Sequence, residues 1–229
     1  MLKSLSPKRT VDSELHVTRI IKHYRHMKTT ILLLGLFIML QFSCTKNDDG
    51  FTPTLPPITQ TGENTFDAYI NGKLLVPRNG DGTFNSPSPG ALYWVSGDIP
   101  TDYKSNLSVY DYKSGNAGLL QLNIENVQNG EGEYLIKESN CQEWVGGNPP
   151  PTINLLCRWK DEQTGKIKIY CSIENTGNLT ILRYDYTNGI LSGTFSCTAV
   201  NRDDPNDIIE IAEGRFDINW RTIREQEFL

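Results

Sequence analysis

Hydrophobic and polar residues alternate with a period of two along most of the chain after residue 63. At Thr65–Ile70 the alternation ends in Asn71-Gly72, a pair that favours a type I′ hairpin turn. The pattern therefore predicts nine or ten short strands, in an antiparallel all-β sandwich or barrel-like domain at 63–229, with a long irregular region at 77–106. Further alternating segments are 107–110, 120–125, 132–137, 153–159, 167–173, 179–186, 190–200, 208–211 and 215–220, with a bulge or bend at Glu213-Gly214.

The segment before this domain has the features of a lipoprotein signal peptide. Lys28 precedes an unbroken apolar run at residues 31–40, which is too short to span a bilayer but fits a signal-peptide hydrophobic region. Ser43-Cys44 follows and resembles a lipobox, whose cysteine is lipidated and becomes the mature N-terminus. We expect a signal peptide at 27–43, an over-called extension at 1–26, and lipidation of Cys44; an ordinary secretory signal with an incidental cysteine is the alternative.

Residues 44–62 predict a flexible tether that begins at the lipidated cysteine. Asp48-Asp49 form a short acidic cluster, and Pro53, Pro56 and Pro57 follow without apolar periodicity. The acidic cluster resembles an export signal to the cell surface, although a solvated tether carries such charges as well. The expected location is the outer membrane, lipid-anchored, with the domain facing the periplasm or the cell surface.

Charge and histidine content exclude several classes of function. Without residues 1–43 the chain has 15 basic and 25 acidic side chains, a net charge of −10, which argues against nucleic-acid binding. All three histidines lie within residues 1–26, so the mature chain has no Ser-His-Asp or Cys-His catalysis and no histidine metal ligand. We predict no cofactor and no enzymatic activity, with acidic pairs such as Glu131/Glu133 as the remaining route to glycoside hydrolysis.

Four cysteines remain after Cys44 in an exported chain, which favours disulfides. Cys157 and Cys171 flank an expected hairpin and are predicted to share its apolar face, which favours a Cys157–Cys171 bond. Cys141 would then pair with Cys197, unless Cys197 is a free thiol in the core.

Asp203, Asp204 and Asp207 concentrate hard oxygen ligands in one loop and are a weak candidate site for Ca²⁺. The same composition is typical of a hairpin loop in which Asx side chains bond to their own backbone.

Aromatic residues in loops are the best candidates for ligand binding. Trp144 lies in a long connection rich in glycine and proline, and Tyr93-Trp94 lie in the irregular region at 77–106. Such rings stack on sugars or serve as hot spots for a protein partner, and they also cap the open ends of sandwiches.

Several phrases of the chain resemble an uncharacterised family of Bacteroidota outer-membrane lipoproteins. They are Leu55–Gly62, Asn64–Phe66, Asn71–Lys73, Gly177–Ile181, Ser192–Ala199 and Glu213–Asp217. The resemblance implies an all-β fold and an envelope location and carries no known activity; an aromatic residue is usual in that family at the position of Cys197. The expected function is a non-catalytic binding module for a glycan or other extracytoplasmic ligand. The alternative is a structural or assembly subunit of an envelope complex, with an envelope protein as partner.

Overall fold

A computed structural model describes residues 53–96, 104–113, 118–143, 151–161 and 163–228, and it confirms the all-β class. The predicted extension, signal peptide and lipidated Cys44 lie outside these residues. In the part of the chain that is described, no helix is long and apolar enough to cross a membrane. The strands are β1 Thr65–Ile70, β2 Lys73–Leu75, β3 Leu92–Ser96, β4 Lys104–Asp111, β5 Gly118–Glu125, β6 Gly132–Leu135, β7 Asn154–Lys160, β8 Ile167–Ser172, β9 Asn178–Asp185, β10 Ile190–Asn201 and β11 Asp204–Asn219, with 3₁₀ turns at Val127–Asn129 and Ile223–Glu225.

The strands form one antiparallel sheet that does not close into a barrel, in the order β2-β1-β11-β10-β8-β7-β5-β4-β3. Strand β10 has two partners on one edge, because Ile190–Ser196 pairs with β9 and Ala199–Asn201 pairs with β8. Strand β6 extends the β9 side. The sheet therefore divides into two sandwich-like halves that share β10 and β11: the first half is β2-β1-β11-β10-β9-β6, and the second half is β11-β10-β8-β7-β5-β4-β3.

The predicted bulge lies where these shared strands bend. The β10–β11 register shifts between Phe195 and Cys197, opposite Gly214 and Ile211. A Cβ atom at Gly214 would lie 2.4 Å from the Phe195 ring, so only glycine lets the ring pack there. Glu213 beside it has a positive φ of 49°, the left-handed region that bulges use.

Alternation buries one face of each half against the other, as predicted for the strands around Leu107, Leu122 and Leu155. Phe66 of the first half contacts Phe195 in a tilted arrangement, with ring centroids 5.7 Å apart, and Phe195 contacts Phe216 at 6.4 Å. The type I′ prediction at Asn71-Gly72 agrees with the positive φ of both residues, 49° and 79°.

The expectation of an irregular region throughout 77–106 is wrong, because β3 forms there and pairs with β4 from Leu92–Val109 to Ser96–Ser105. Leu92 is buried in the core, but Tyr93 and Val95 on the other face of β3 are exposed. The strand has only five residues and lies at the end of the sheet order. Its alternation of apolar and polar residues is therefore too short to be recognised in the sequence.

The chain before β1 lies against the fold from residue 56 onward, so the expected tether at 44–62 is docked over its last residues. We name residues 56–63 the N-terminal strap. Asp217 accepts hydrogen bonds from the backbone N–H groups of Thr61 (2.9 Å) and Gly62 (2.8 Å). The guanidinium of Arg215 donates to the Pro56 carbonyl (2.7 Å), and that of Arg183 to the Gln60 carbonyl (2.7 Å). Side chains that lie 120 or more residues away in the sequence therefore supply hydrogen-bond partners for the backbone of the strap. The strap itself has no apolar periodicity.

The predicted Cys157–Cys171 disulfide is wrong, because the bond joins Cys141 to Cys171, with their Cα atoms 5.4 Å apart. The β7–β8 register places Cys157 opposite Tyr170 and places Leu156 opposite Cys171. Since directly opposed residues share a face, Cys157 points into the core and Cys171 points to the outer face. Cys197 is a buried free thiol, as the alternative reading expected, and so is Cys157.

Candidate binding site

Four aromatic side chains meet where β9, β10 and β11 end, and we name them the Trp220 cluster. Trp220 stacks on Trp94 with ring centroids 6.3 Å apart and planes inclined by 23°. Tyr184 and Tyr186 lie 6.0 and 6.3 Å from the same indole. Trp94, Tyr184 and Trp220 are half-buried and pack against the core, whereas Tyr186 is 64% exposed. The cluster therefore closes this end of the domain and also presents ring surface to solvent.

Local turns hold these rings in place. The Trp220 N–H donates to the Gly189 carbonyl of the β9–β10 turn (2.9 Å), which fixes the strand end beside that turn. Asn64 accepts from the Asn219 N–H (2.8 Å) and donates to the Thr222 hydroxyl (3.0 Å), so the entry to β1 supports the same corner.

Polar groups of β9 and of the β9–β10 turn lie next to Tyr184 and Tyr186 in the sequence. Asp185 accepts bonds from the backbone and the side chain of Asn188 and from Arg183, and these bonds lower the pKa of its carboxyl to about 2. Arg183 and Asp185 alternate with Tyr184 along β9, so they point to the opposite face of the strand from that ring.

The structure separates the aromatic residues that the sequence groups together. Tyr93 and Trp94 are neighbours in β3, so they point to opposite faces of the sheet, and only Trp94 joins the Trp220 cluster. Trp144 lies outside the described residues. The sequence analysis missed Trp220, Tyr184 and Tyr186 as site residues, because each lies in a segment read only as a strand. The feature that could have indicated them is their position, since all three aromatic residues lie within two positions of the end of β9 or β11.

Tyr93 belongs to a second group on the outer face of the second half, which we name the tyrosine cluster. Tyr93 contacts Tyr110 edge to face with centroids 5.8 Å apart, and Tyr110 stacks on Tyr112 at 5.3 Å with planes inclined by 8°. Tyr93 is 38% and Tyr112 is 43% exposed. Burial is the largest cause of the raised pKa of Tyr110. Of the charges nearby, Glu143 raises this pKa further and Arg158 lowers it.

The outer face below the tyrosine cluster is polar but buried. Asn106 donates to Asn123 (2.8 Å), and Asn123 donates to Asn154 (2.9 Å), which links three adjacent strands. Gln121 donates to Ser108 (3.1 Å), and Ser108 donates to Asn106. Each of these side chains is less than 7% exposed, so hydrogen bonds between strands compensate for their removal from water.

The weak metal candidates Asp203, Asp204 and Asp207 have protein partners in the structure. Asp203 pairs with Arg202, and Asp204 accepts from the backbone N–H of Asn206, as in an Asx turn. Asp207 accepts from Lys168 (2.6 Å), Tyr170 (3.2 Å) and Asn201 (2.8 Å). The described residues contain no group of three or more histidine, cysteine or acidic side chains that could hold a metal ion.

Cys157 and Cys197, the free thiols among the described residues, are buried and have raised pKa values. Burial raises the pKa of Cys197 to about 12 and raises the pKa of Cys157 further, with Cys197 adding to the effect on Cys157. Both thiols stay protonated at neutral pH and pack as small apolar groups in the core.

No family model, curated protein or solved structure matches this chain. Function is therefore inferred from its own residues.

Proposed function

We propose that the protein is a lipid-anchored envelope protein whose β-domain binds a glycan at the Trp220 cluster without transforming it. The observation that supports this most directly is the meeting of four rings from three separate parts of the chain, three of them in contact with the Trp220 indole, with Tyr186 left 64% exposed. Pyranose rings carry apolar C–H faces that pack on indole and phenol rings, while their hydroxyls bond to neighbouring polar side chains. The Trp220 cluster offers the ring surface, and polar side chains of the adjoining β9–β10 turn such as Asn188 are the candidates for the bonds to hydroxyls.

The N-terminal strap leads toward the Trp220 cluster. The strap meets Arg215 at Pro56 and Asp217 at Gly62, and Asn64 reaches Asn219. The chain thus runs along β11 toward the Trp220 cluster before it turns back into β1.

The test is binding of neutral and acidic oligosaccharides to the purified, oxidised protein, followed by thermal unfolding and calorimetry. Tyr186→Ala removes the most exposed ring, and we expect it to weaken glycan binding at least tenfold with little change in unfolding temperature. Ile208→Ala is the control, since Ile208 is 51% exposed at the other end of β11. Equal binding by both variants and the unchanged protein would contradict the proposed site.

Phe84 favours the second candidate function, an assembly subunit of an envelope complex. This ring is fully exposed at the tip of a turn in which Thr83 and Ser86 exchange backbone hydrogen bonds of 2.8 and 3.2 Å. A single exposed aromatic side chain on a short turn is a common anchor for a protein partner. Crosslinking in intact cells tests it: loss of a crosslinked partner in Phe84→Ala, together with no glycan binding by the unchanged protein, would establish the assembly role instead.

A further inference from the structure

We infer a second, independent binding site at the tyrosine cluster, formed by Tyr93, Tyr110, Tyr112 and Arg158, for a glycan that carries a carboxylate group. It goes beyond the proposed function, because it lies on the outer face of the sheet and shares no residue with the Trp220 cluster.

Strand register brings the arginine to the tyrosines. Tyr110 lies opposite Leu119 on β5, and Leu119 lies opposite Arg158 on β7, so all three side chains point to the outer face. Arg158 affects the pKa of both Tyr110 and Tyr112, which places its charge near both phenols. Backbone bonds fix the end of β4, because Tyr110 donates to Ala91 (2.7 Å) and Tyr112 donates to Arg78 (3.1 Å).

The guanidinium of Arg158 has unused binding capacity. Its side chain is 35% exposed, and its buried Nε has no hydrogen-bond partner among the described residues. Its ion pair is a single contact of 3.4 Å between Nη1 and Glu143, which is long for a charge-assisted bond. An arginine normally binds a carboxylate with two parallel N–H···O bonds, and this one does not.

Glu143 occupies the place that a ligand carboxylate would take. The Cys141–Cys171 disulfide ties the chain two residues before Glu143 to the outer face of β8. Cys171 is opposite Leu156, and Arg158 is two positions further along the same face of β7. Glu143 is therefore held beside Arg158 by a covalent link, and an incoming carboxylate would exchange with its weak contact.

The rings favour an acidic sugar over an acidic peptide. Tyr110 and Tyr112 are nearly parallel, and Tyr112 is 43% exposed, so part of its ring surface is open to solvent. A uronic acid has a pyranose ring to pack on this open ring surface and a carboxylate on an adjoining carbon to reach the guanidinium. The side chain of aspartate or glutamate supplies only the carboxylate.

The test compares tetragalacturonate, a neutral tetrasaccharide and a hexaglutamate peptide by calorimetry on the full chain, purified in its oxidised form. We expect tetragalacturonate to bind best, and Arg158→Gln to weaken it at least tenfold. Arg158→Lys keeps the charge without the two-pronged geometry and should lose most of the same affinity. Arg202→Gln removes an equal charge from the exposed Arg202–Asp203 pair and should change nothing.

Glu143→Gln should change the affinity for tetragalacturonate in the opposite direction from the Arg158 variants. This test does not depend on whether the Arg158 variants fold. Removal of the competing carboxylate should strengthen tetragalacturonate binding several-fold and leave the neutral sugar unaffected. Weaker or unchanged binding in Glu143→Gln would overturn the inference, and so would hexaglutamate binding as tightly as tetragalacturonate. Tyr186→Ala separates the two sites, because it should abolish binding at the Trp220 cluster and leave the Arg158-dependent binding intact.

Discussion

The Trp220 cluster and the tyrosine cluster are both groups of aromatic rings, but the molecule supports them in different ways. Trp94, Tyr184 and Trp220 pack against the hydrophobic core, so their rings contribute to folding and to the exposed surface together. Tyr93, Tyr110 and Tyr112 lie on the other side of the sheet, next to Arg158 and a buried polar network. If the proposed binding sites hold, the first cluster combines stability with recognition, whereas the second separates them.

Replacement of Trp220 should have the largest effect on stability. Trp220→Ala removes an indole that packs on the core and on three other rings, and we expect a loss of about 3 kcal/mol in the free energy of unfolding. Tyr112→Ala removes a phenol that is 43% exposed and should cost less than about 1 kcal/mol. Urea unfolding of both variants measures the difference.

An equal loss in the two variants would end the distinction between the clusters, because the tyrosines would then be structural too. Phe84→Ala serves as the control for the loss of a fully exposed ring and should leave the unfolding midpoint where it is.

Loss of the disulfide should come next in size and should act on the tyrosine side. The Cys141–Cys171 bond closes a loop with a sequence separation of 30, for which the chain-entropy account gives an upper value of about 3.5 kcal/mol; measured losses are often smaller, and we expect about 2 kcal/mol here. Cys141→Ser with Cys171→Ser should raise hydrogen exchange around Glu143 and in β7 and β8 more than in the β9–β10 turn. The matched control is Cys157→Ala, which leaves the bond intact.

Thiol counting checks the pairing independently. Alkylation of the denatured, unreduced protein should label Cys157 and Cys197 and leave Cys141 and Cys171 unlabelled until a reductant is added. A peptide that joins Cys157 to Cys171 would contradict the structure and support the sequence-based pairing.

The pairing error shows where alternation stops being informative. Period two identified most of the strands, and the Asn-Gly pair identified the hairpin turn at Asn71-Gly72, because those signals are local. Which residues of two strands share a face depends on the register, and the register depends on how the turn closes. One position of difference moved Cys171 to the face opposite Cys157.

The candidate sites needed contacts that no local pattern contains. Trp94 and Trp220 are 126 positions apart in sequence, and they meet only because β3 and the end of β11 lie at the same corner of the fold. Likewise, Pro56 to Gly62 have the composition of a free tether, and distant side chains such as Arg215 and Asp217 make them part of the domain. Composition does indicate that aromatic rings matter here, but topology decides which rings meet.

Replacement of Asp67 should have the smallest effect on stability. Its effect should be confined to the half of the fold that carries the strap. Asp67 lies opposite Arg215 in the β1–β11 pair and is 6% exposed. Burial raises the pKa of its carboxyl to about 7, against an opposing effect of Arg215. The folded protein therefore holds this proton more tightly than the unfolded chain does, so this group favours folding most below pH 4 and loses that contribution as pH rises toward and through 7.

Asp67→Asn should flatten the fall in unfolding temperature between pH 5 and pH 8 and make the variant the more stable protein at pH 8. Every histidine lies within residues 1–26, and hydrogen bonds lower the pKa values of Asp161, Asp185 and Asp207, which moves these carboxyls away from the window. Asp203→Asn removes an exposed carboxylate whose pKa is also lowered, so it should keep the slope of the unchanged protein. If Asp67→Asn keeps that slope as well, the proton is not held at Asp67. If the slope flattens and hydrogen exchange at pH 8 is faster in β1 and the strap than in β4 and β5, pH acts on the half of the fold that supports the Trp220 cluster and leaves the tyrosine side unchanged.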